Sequence, residues 1–398
     1  MDLNQTLKKP FAGDLLSEAE AAALLSLPPG ERQAVYAAAD RLNRQINGRR
    51  VSYVFNRNIN FTNACSAACA FCAYRVEPGD EDAFVLSPED AVALAGRTPG
   101  IDEVCMVGGL NPAVTFDHVL ALFAAVHEAY PHVHIHALSP MEIDWYSRRT
   151  GLSVQETFQK LLAAGYGSLC GTAAEILVDE VRREICPAKL STARWVEIVR
   201  TAHDMGIRST STILFGHIER PEHIAAHLRV LRDLQAETGG ITEFIPLVFI
   251  PYRTRLGRAR GIRRMAPKED VFLLYAVSRL FFGRLIPNLQ TSWVKLGLDV
   301  AVESFDYGVN DLGGTLLEEN ITRSAGGTHG QALTIDEMAD AIRRAGRTPV
   351  RRDTLYHYLP ARLEAKPRAG RQVWTSASAP DNVQPPAAPT ARQETPPV

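Results

Sequence analysis

Asn60-Phe61-Thr62-Asn63-Ala64-Cys65-Ser66-Ala67-Ala68-Cys69-Ala70-Phe71-Cys72-Ala73-Tyr74-Arg75 sets three cysteines within eight residues, spaced C-x3-C-x2-C. The stretch follows a β-rich run, Val54–Phe61. Three thiolates on one short loop can wrap a cubane iron–sulfur cluster and ligate three of its irons. The fourth iron then stays open to an exogenous ligand, whereas clusters held by four cysteines are closed and carry electrons. A structural zinc site would need a fourth Cys or His in a pair with its own spacing. His132, His134 and His136 alternate on a candidate strand, but no paired second half stands nearby. Three free thiols gathered by chance is the remaining reading. The spacing favours an open cluster on Cys65, Cys69 and Cys72 over zinc, a closed cluster or chance.

Outward from this loop, short β-rich runs alternate with helical stretches. The candidate strands are Val54–Phe61, Glu103–Val107, His132–Leu138, Ser168–Thr172, Ser209–Phe215, Glu243–Phe249, Asn288–Ser292 and a weaker one near Gly313–Leu316. Helical patterns lie between most of them, as at Ser87–Ala95, Val114–Ala129, Val154–Ala164, Thr192–Met205, Pro221–Glu237 and Asp270–Phe282. Such alternation argues a parallel sheet covered by helices. Eight units predict an α/β fold of (β/α)8 TIM type, with a doubly wound open sheet as the structural rival. Residues 1–50 read as an N-terminal helical extension, where Ser17-Glu18-Ala19-Glu20 forms a capping box and Gly48 stops a second helix. The barrel is expected over 51–330, and a helix and strand packed on it over 331–366, with Thr334 as cap. A tail over 367–398, poor in core formers and rich in proline, reads as disordered.

The 398 residues carry a net charge of −2, with no basic excess for a nucleic-acid surface. No apolar run approaches the length of a membrane span. Met1–Lys9 is polar and lacks the apolar centre of a signal peptide, so the cytoplasm is the expected compartment. The six cysteines are then thiols or metal ligands rather than disulfides. Cys105, Cys170 and Cys186 have no ligand-like spacing and read as small core or turn residues.

The cysteine spacing, with Phe71 before and Tyr74 after the last cysteine, resembles that of the radical S-adenosylmethionine (SAM) superfamily. The resemblance implies a 4Fe-4S cluster on Cys65, Cys69 and Cys72 and SAM as the exogenous ligand. It also implies cofactor contacts from Tyr74, from the strand-end turn Gly108-Gly109 and from Glu175, whose carboxylate would accept ribose hydroxyls. Helix-start charge and an ordinary tight turn are the plain readings of Glu175 and of the glycines.

From about residue 50 to 358 the resemblance narrows to the enzymes that make deazaflavin and futalosine-pathway menaquinone precursors. It rests on Gly108-Gly109-Leu110, His136–Ile143, Ile185-Cys186-Pro187, Phe215–Glu219, Pro221-Glu222-His223 and Glu237–Gly240. Gly171–Glu175, Ser292–Gly297 and Asn310–Asn320 resemble the tyrosine-using deazaflavin enzymes in particular. This implies L-tyrosine and 5-amino-6-(D-ribitylamino)uracil as substrates, an electron donor such as flavodoxin or ferredoxin, and the first subunit of FO synthase as a partner. Candidate substrate contacts are Glu142, His217, Asn310, Asp311 and Glu318. Asn111, Tyr74 and Pro251 depart from the pattern expected at their positions. Aminofutalosine synthase and dehypoxanthine futalosine cyclase are the nearest rivals; a non-catalytic iron–sulfur or zinc protein is the rival of another class.

Overall fold

The computed structural model describes residues 2–360. Its strands are β1 (Arg50–Val54), β2 (Asn56–Asn60), β3 (Glu103–Val107), β4 (His134–Ala137), β5 (Tyr166–Leu169), β6 (Ser209–Phe215), β7 (Ile241–Val248), β8 (Asp311–Gly314) and β9 (Thr348–Arg352). β2 to β7 form a six-stranded sheet in chain order, and every named pair is parallel. β8, β1 and β9 form a second parallel sheet. Backbone bonds join the two. Leu289 bridges Phe244 of β7, and Gln290 bridges Asp311 of β8. On the other flank the Asn58 N–H of β2 donates to the Leu316 carbonyl at 2.9 Å. Residues 288–291 thus take the place of the seventh of eight staves, and the expected α/β barrel architecture is the one found.

Two strand expectations change in detail. Val54–Phe61 is divided at Phe55, because its two halves have different neighbours: β1 lies between β8 and β9, while β2 pairs with β3. Asn288–Ser292 forms only isolated bridges. Side-chain amides supplement its backbone bonds: the Leu289 N–H donates to Asn310 Oδ1 at 2.8 Å, and Asn288 Nδ2 donates to the Thr242 carbonyl at 2.9 Å.

Helices follow most strands, and many start on local caps. Ser17, Ser87, Ser153 and Thr334 each close a capping box with the acid three residues on. Leu3–Ala12, Pro140–Thr150 and Asp179–Ile185 are helices that the sequence pattern did not announce. Pro140 masked the second; it sits in the first turn, where its missing N–H costs nothing, behind the Ser139 cap. Gln33–Asn47 buries Val35, Ala39 and Leu42 along one stripe, and Arg32 at its start pairs with Asp270 at 2.8 Å. None of the helices among the described residues is long and apolar enough to cross a membrane. The tail expected over 367–398 lies outside the described residues.

The N-terminal end of the barrel is closed by charge. Asp311, fully buried, accepts from Arg352 Nε at 2.6 Å and from Ser52 Oγ at 2.5 Å. Arg352 also stands 3.5 Å from Glu243, which accepts the Tyr356 hydroxyl. Asn310 Oδ1 accepts from Arg279 Nη2 at 2.7 Å. The sequence had offered Asn310 and Asp311 as substrate contacts. The structure places them at and just before the start of β8, at the end opposite the cysteine loop, with their polar atoms engaged in holding staves together.

Candidate active site at the C-terminal rim of the barrel

The cysteine loop leaves the C-terminal end of β2 and is pinned from several sides. The Cys65 N–H donates to the Val76 carbonyl at 3.1 Å, and the Ser66 N–H to Leu110 at 3.0 Å. The Ala70 N–H donates to Ile185 at 2.8 Å, while the Ala70 carbonyl accepts from the Leu256 N–H at 2.8 Å. Cys69 is buried; Cys65 and Cys72 keep some access. Burial pushes the Cys69 thiol up to about 12, with Lys189 pulling the other way. A thiolate at this position therefore needs a cation against it. Among the described residues no three His, Cys, Asp or Glu side chains converge to chelate one ion. Three thiols on one pinned loop are the donor set of a cubane with one open iron.

The strand-end turn after β3 explains why glycines stand at 108 and 109. A Cβ on Gly109 would lie 2.2 Å from the Ala64 carbonyl oxygen and 2.8 Å from Cys65 Cβ. One on Gly108 would lie 2.4 Å from the Phe61 ring. The turn thus packs backbone-close against the cysteine loop. Glu142 braces it. One carboxylate oxygen accepts the Gly108 N–H at 2.9 Å; the other accepts the Ser139 N–H and hydroxyl, each at 2.7 Å. Burial raises the Glu142 pKa, and these donors oppose the rise. Offered by the sequence as a substrate contact, Glu142 instead ties the β3 turn to the β4 turn. Asn111 is a second brace: buried, it donates to Thr62 Oγ1 at 3.0 Å.

After β5 the chain turns through left-handed φ at Ala173 (59°) and Glu175 (47°). The Glu175 carboxylate meets Lys189 Nζ at 2.5 Å, with the two side chains 12% and 14% exposed. Lys189 also lies over the Phe71 ring, 5.3 Å from its centroid. Burial lowers the Lys189 pKa, but the Glu175 carboxylate together with Cys69 and Cys186 outweighs it, and the ammonium is held above its ordinary range. Lys189, which sequence reasoning missed, therefore joins Glu175 to the cysteine loop. Its only signal was its place two residues after Cys186-Pro187. Most non-glycine residues at left-handed φ gather on this rim: Ala68, Leu138, Ala173, Glu175 and Leu316 to Glu318 lie past the C-terminal ends of strands, with Tyr356 beside Glu243 the exception. Such backbone strain points to a functional site.

His217, after β6, is enclosed. Its Nε2 is 3.0 Å from the Leu214 carbonyl, and its Nδ1 accepts the Ile218 N–H at 2.7 Å. Burial lowers its pKa, so the ring is neutral near pH 7. After β8 the adjacent acids part. Glu318 is 47% exposed and pairs with Arg57 at 2.9 Å and Arg97 at 3.5 Å, on the outside of β2. Glu319 is 8% exposed, and its charge acts on Tyr74 and Lys295. The inward acid is therefore Glu319, not the Glu318 suggested by sequence. Burial raises the Glu319 pKa and that of the Tyr74 phenol.

Lys295, just past residues 288–291, was also missed. Burial lowers its pKa against the pull of Glu319 and Glu175. Among the described residues its ammonium has no hydrogen-bonding or ion-pair partner. Below the rim, Cys105 and Cys170 face each other with sulfurs 3.9 Å apart.

The sequence profile of the radical SAM superfamily matches residues 59–231, and that of the CofH/MqnC C-terminal region matches residues 238–365. A Methanopyrus kandleri protein named 5-amino-6-(D-ribitylamino)uracil–L-tyrosine 4-hydroxyphenyl transferase is 44% identical over 81% of this chain and 88% of its own. A Methanosarcina mazei protein, named as transferase 1 of that kind, is 44% identical over 87% of this chain and 92% of its own. Among solved structures, methylornithine synthase superposes with a TM-score of 0.68 at 20% identity, covering 87% of this chain and 97% of that one. The hydrogenase maturase HydG gives 0.68 at 15% identity, covering 87% and 75%. These two likenesses concern the fold.

Proposed function

The chain belongs to the 5-amino-6-(D-ribitylamino)uracil–L-tyrosine 4-hydroxyphenyl transferases of the radical SAM superfamily, and on that premise we propose how its rim residues serve the reaction. The enzyme cleaves the Cα–Cβ bond of L-tyrosine and adds the 4-hydroxybenzyl fragment to the ribityl-aminouracil, in deazaflavin coenzyme synthesis. When bound, the 4Fe-4S cluster and SAM supply the adenosyl radical that starts this by taking a hydrogen atom from tyrosine.

Cys65, Cys69 and Cys72 hold the cluster, and Gly108-Gly109 lets main chain approach it. Glu175, held in place by Lys189, accepts the ribose hydroxyls of SAM; Tyr74 packs beside Cys72. Lys295, an ammonium with no hydrogen-bonding partner among the described residues, receives the carboxylate of L-tyrosine. The walls of the rim exclude water from the radical, and the pinned loops keep both substrates in reach of it. An acidic electron carrier of the flavodoxin or ferredoxin kind and the first subunit of FO synthase are the proposed protein partners.

The observation that carries these assignments is the meeting of the cysteine loop with Glu175 through Lys189 on one rim. Anaerobically reconstituted enzyme, reduced and given SAM, L-tyrosine and the aminouracil, should consume tyrosine and yield a product with the 4-hydroxybenzyl mass added. Turnover of a futalosine-pathway substrate with tyrosine untouched would overturn the reading.

A further inference from the structure

Between residues 251 and 268 there are seven cations and no acid: Arg253, Arg255, Arg258, Arg260, Arg263, Arg264 and Lys268. All are exposed. Arg255 is tied to the Ala68 carbonyl at 2.5 Å, Arg260 pairs with Glu184, and Lys268 pairs with Glu303 at 3.0 Å. The side chains of Arg253, Arg258, Arg263 and Arg264 have no partner among the described residues. Four unneutralised guanidiniums thus fall between residues 253 and 264 of a chain whose net charge is −2.

The place of this segment gives the charge a meaning. Two hydrogen bonds fasten it to the cysteine loop itself: Arg255 to Ala68, and the Leu256 N–H to the Ala70 carbonyl between Cys69 and Cys72. The loop's other flank is acidic. Glu77, Asp80, Glu81 and Asp82 are all exposed, Glu77 pairing with Arg75 at 2.6 Å, and the Val76 carbonyl accepts the Cys65 N–H. The rim outside the cysteine loop is thus basic on one side and acidic on the other.

We propose that the arginine face formed by Arg253, Arg258, Arg263 and Arg264 docks an acidic protein that delivers single electrons to the cluster beside it. The inference rests on the reading of the loop as a cluster site. On that reading the substrates fill the barrel interior and electrons reach the loop from outside it, where the Arg255 and Leu256 bonds fasten this segment. Complementary charge raises the encounter rate and orients the carrier before contact. An extended polyanion such as RNA fits less well, because a strand running on from the arginines across the loop would meet the carboxylates of 77–82.

The test uses the full, reconstituted enzyme and a reduced flavodoxin as the probe, following cluster bleaching by stopped flow. In wild type the second-order rate should fall as salt rises. The variant Arg253→Glu/Arg258→Glu/Arg263→Glu/Arg264→Glu should be slower by about tenfold or more at low salt, and the two should converge at high salt, where charge is screened. The matching Arg→Gln variant should fall between them, and it serves if charge reversal harms folding. Driven to full reduction with excess dithionite, every variant should cleave SAM as wild type does. Equal flavodoxin rates in wild type and both variants would overturn the docking face, as would a variant that loses only RNA binding. Failure of wild type to take up a reducible cluster would instead refute the reading of the loop.

Discussion

Glu175→Gln tests whether the carboxylate serves SAM, the fold, or both. The structure makes the single variant ambiguous, because Glu175 is one half of an ion pair at 2.5 Å with Lys189. Removing one partner of a fully buried pair costs about 3–5 kcal/mol. Here the side chains keep 12% and 14% exposure, and the Phe71 ring still faces the stranded ammonium. A loss of about 2 kcal/mol is therefore expected. The same substitution turns a charge-assisted hydrogen bond to ribose into a neutral one; at about 1.5 kcal/mol, SAM affinity falls roughly tenfold. A double-mutant cycle with Lys189→Met separates the effects. Removing the lysine as well leaves no unpaired charge, so most of the lost stability should return, with a coupling energy of about 1 kcal/mol or more. SAM affinity should not return, because the ribose still has only a neutral acceptor. Stability is read by denaturant unfolding of apo-protein, and affinity by calorimetry on reconstituted protein. Single effects additive within about 0.5 kcal/mol would refute the coupling. Wild-type affinity in the double variant would remove Glu175 from the SAM site.

Cys65→Ser, Cys69→Ser and Cys72→Ser should each lose the iron–sulfur absorbance and SAM cleavage, while Cys105→Ala keeps both at a core cost of about 1 kcal/mol; an active variant among the first three would contradict the ligand set. Gly109→Ala, which forces a Cβ to within 2.2 Å of the Ala64 carbonyl, should lower cluster content, whereas Gly30→Ala, with nothing within 4 Å, should not; iron analysis decides. Lys295→Met should raise the KM for L-tyrosine at least tenfold and leave the binding of tyramine, which has no carboxylate, unchanged; equal losses for both would show that Lys295 only shapes the cavity. Burial pushes the Glu243 carboxyl up to about 7, above its unfolded range. Between about pH 4.5 and 7 the folded state therefore holds a proton that the unfolded state has lost, and stability falls as pH rises through that window. Glu243→Gln should remove that fall, matching wild type at pH 5 and exceeding it at pH 8; a variant less stable than wild type at pH 8 would refute the assignment.

What could be read from the sequence alone was what adjacent residues decide among themselves. The three cysteines of the cluster loop are contiguous, so their spacing carries the chemistry wherever the loop lies. Capping boxes at Ser17, Ser87, Ser153 and Thr334 span four residues each, and the strand–helix alternation that announces the barrel is equally local. Only the tertiary structure could decide which side of the barrel a given polar residue serves. Asn310 and Asp311 look like Glu319 in the sequence, yet they close the opposite end through Arg279 and Arg352. Glu318 and Glu319 are neighbours, and the left-handed turn over Leu316 to Glu318 sends one carboxylate outside to Arg57 and the other inward. Lys189 finds Glu175 across the helix Asp179–Ile185, and Arg255 finds Ala68 from 187 residues away. Partners so far apart are brought together by the closing of the ring of staves, and a carboxylate or guanidinium acquires its role from the burial and the counter-charge it meets there, which its neighbours in the chain do not specify.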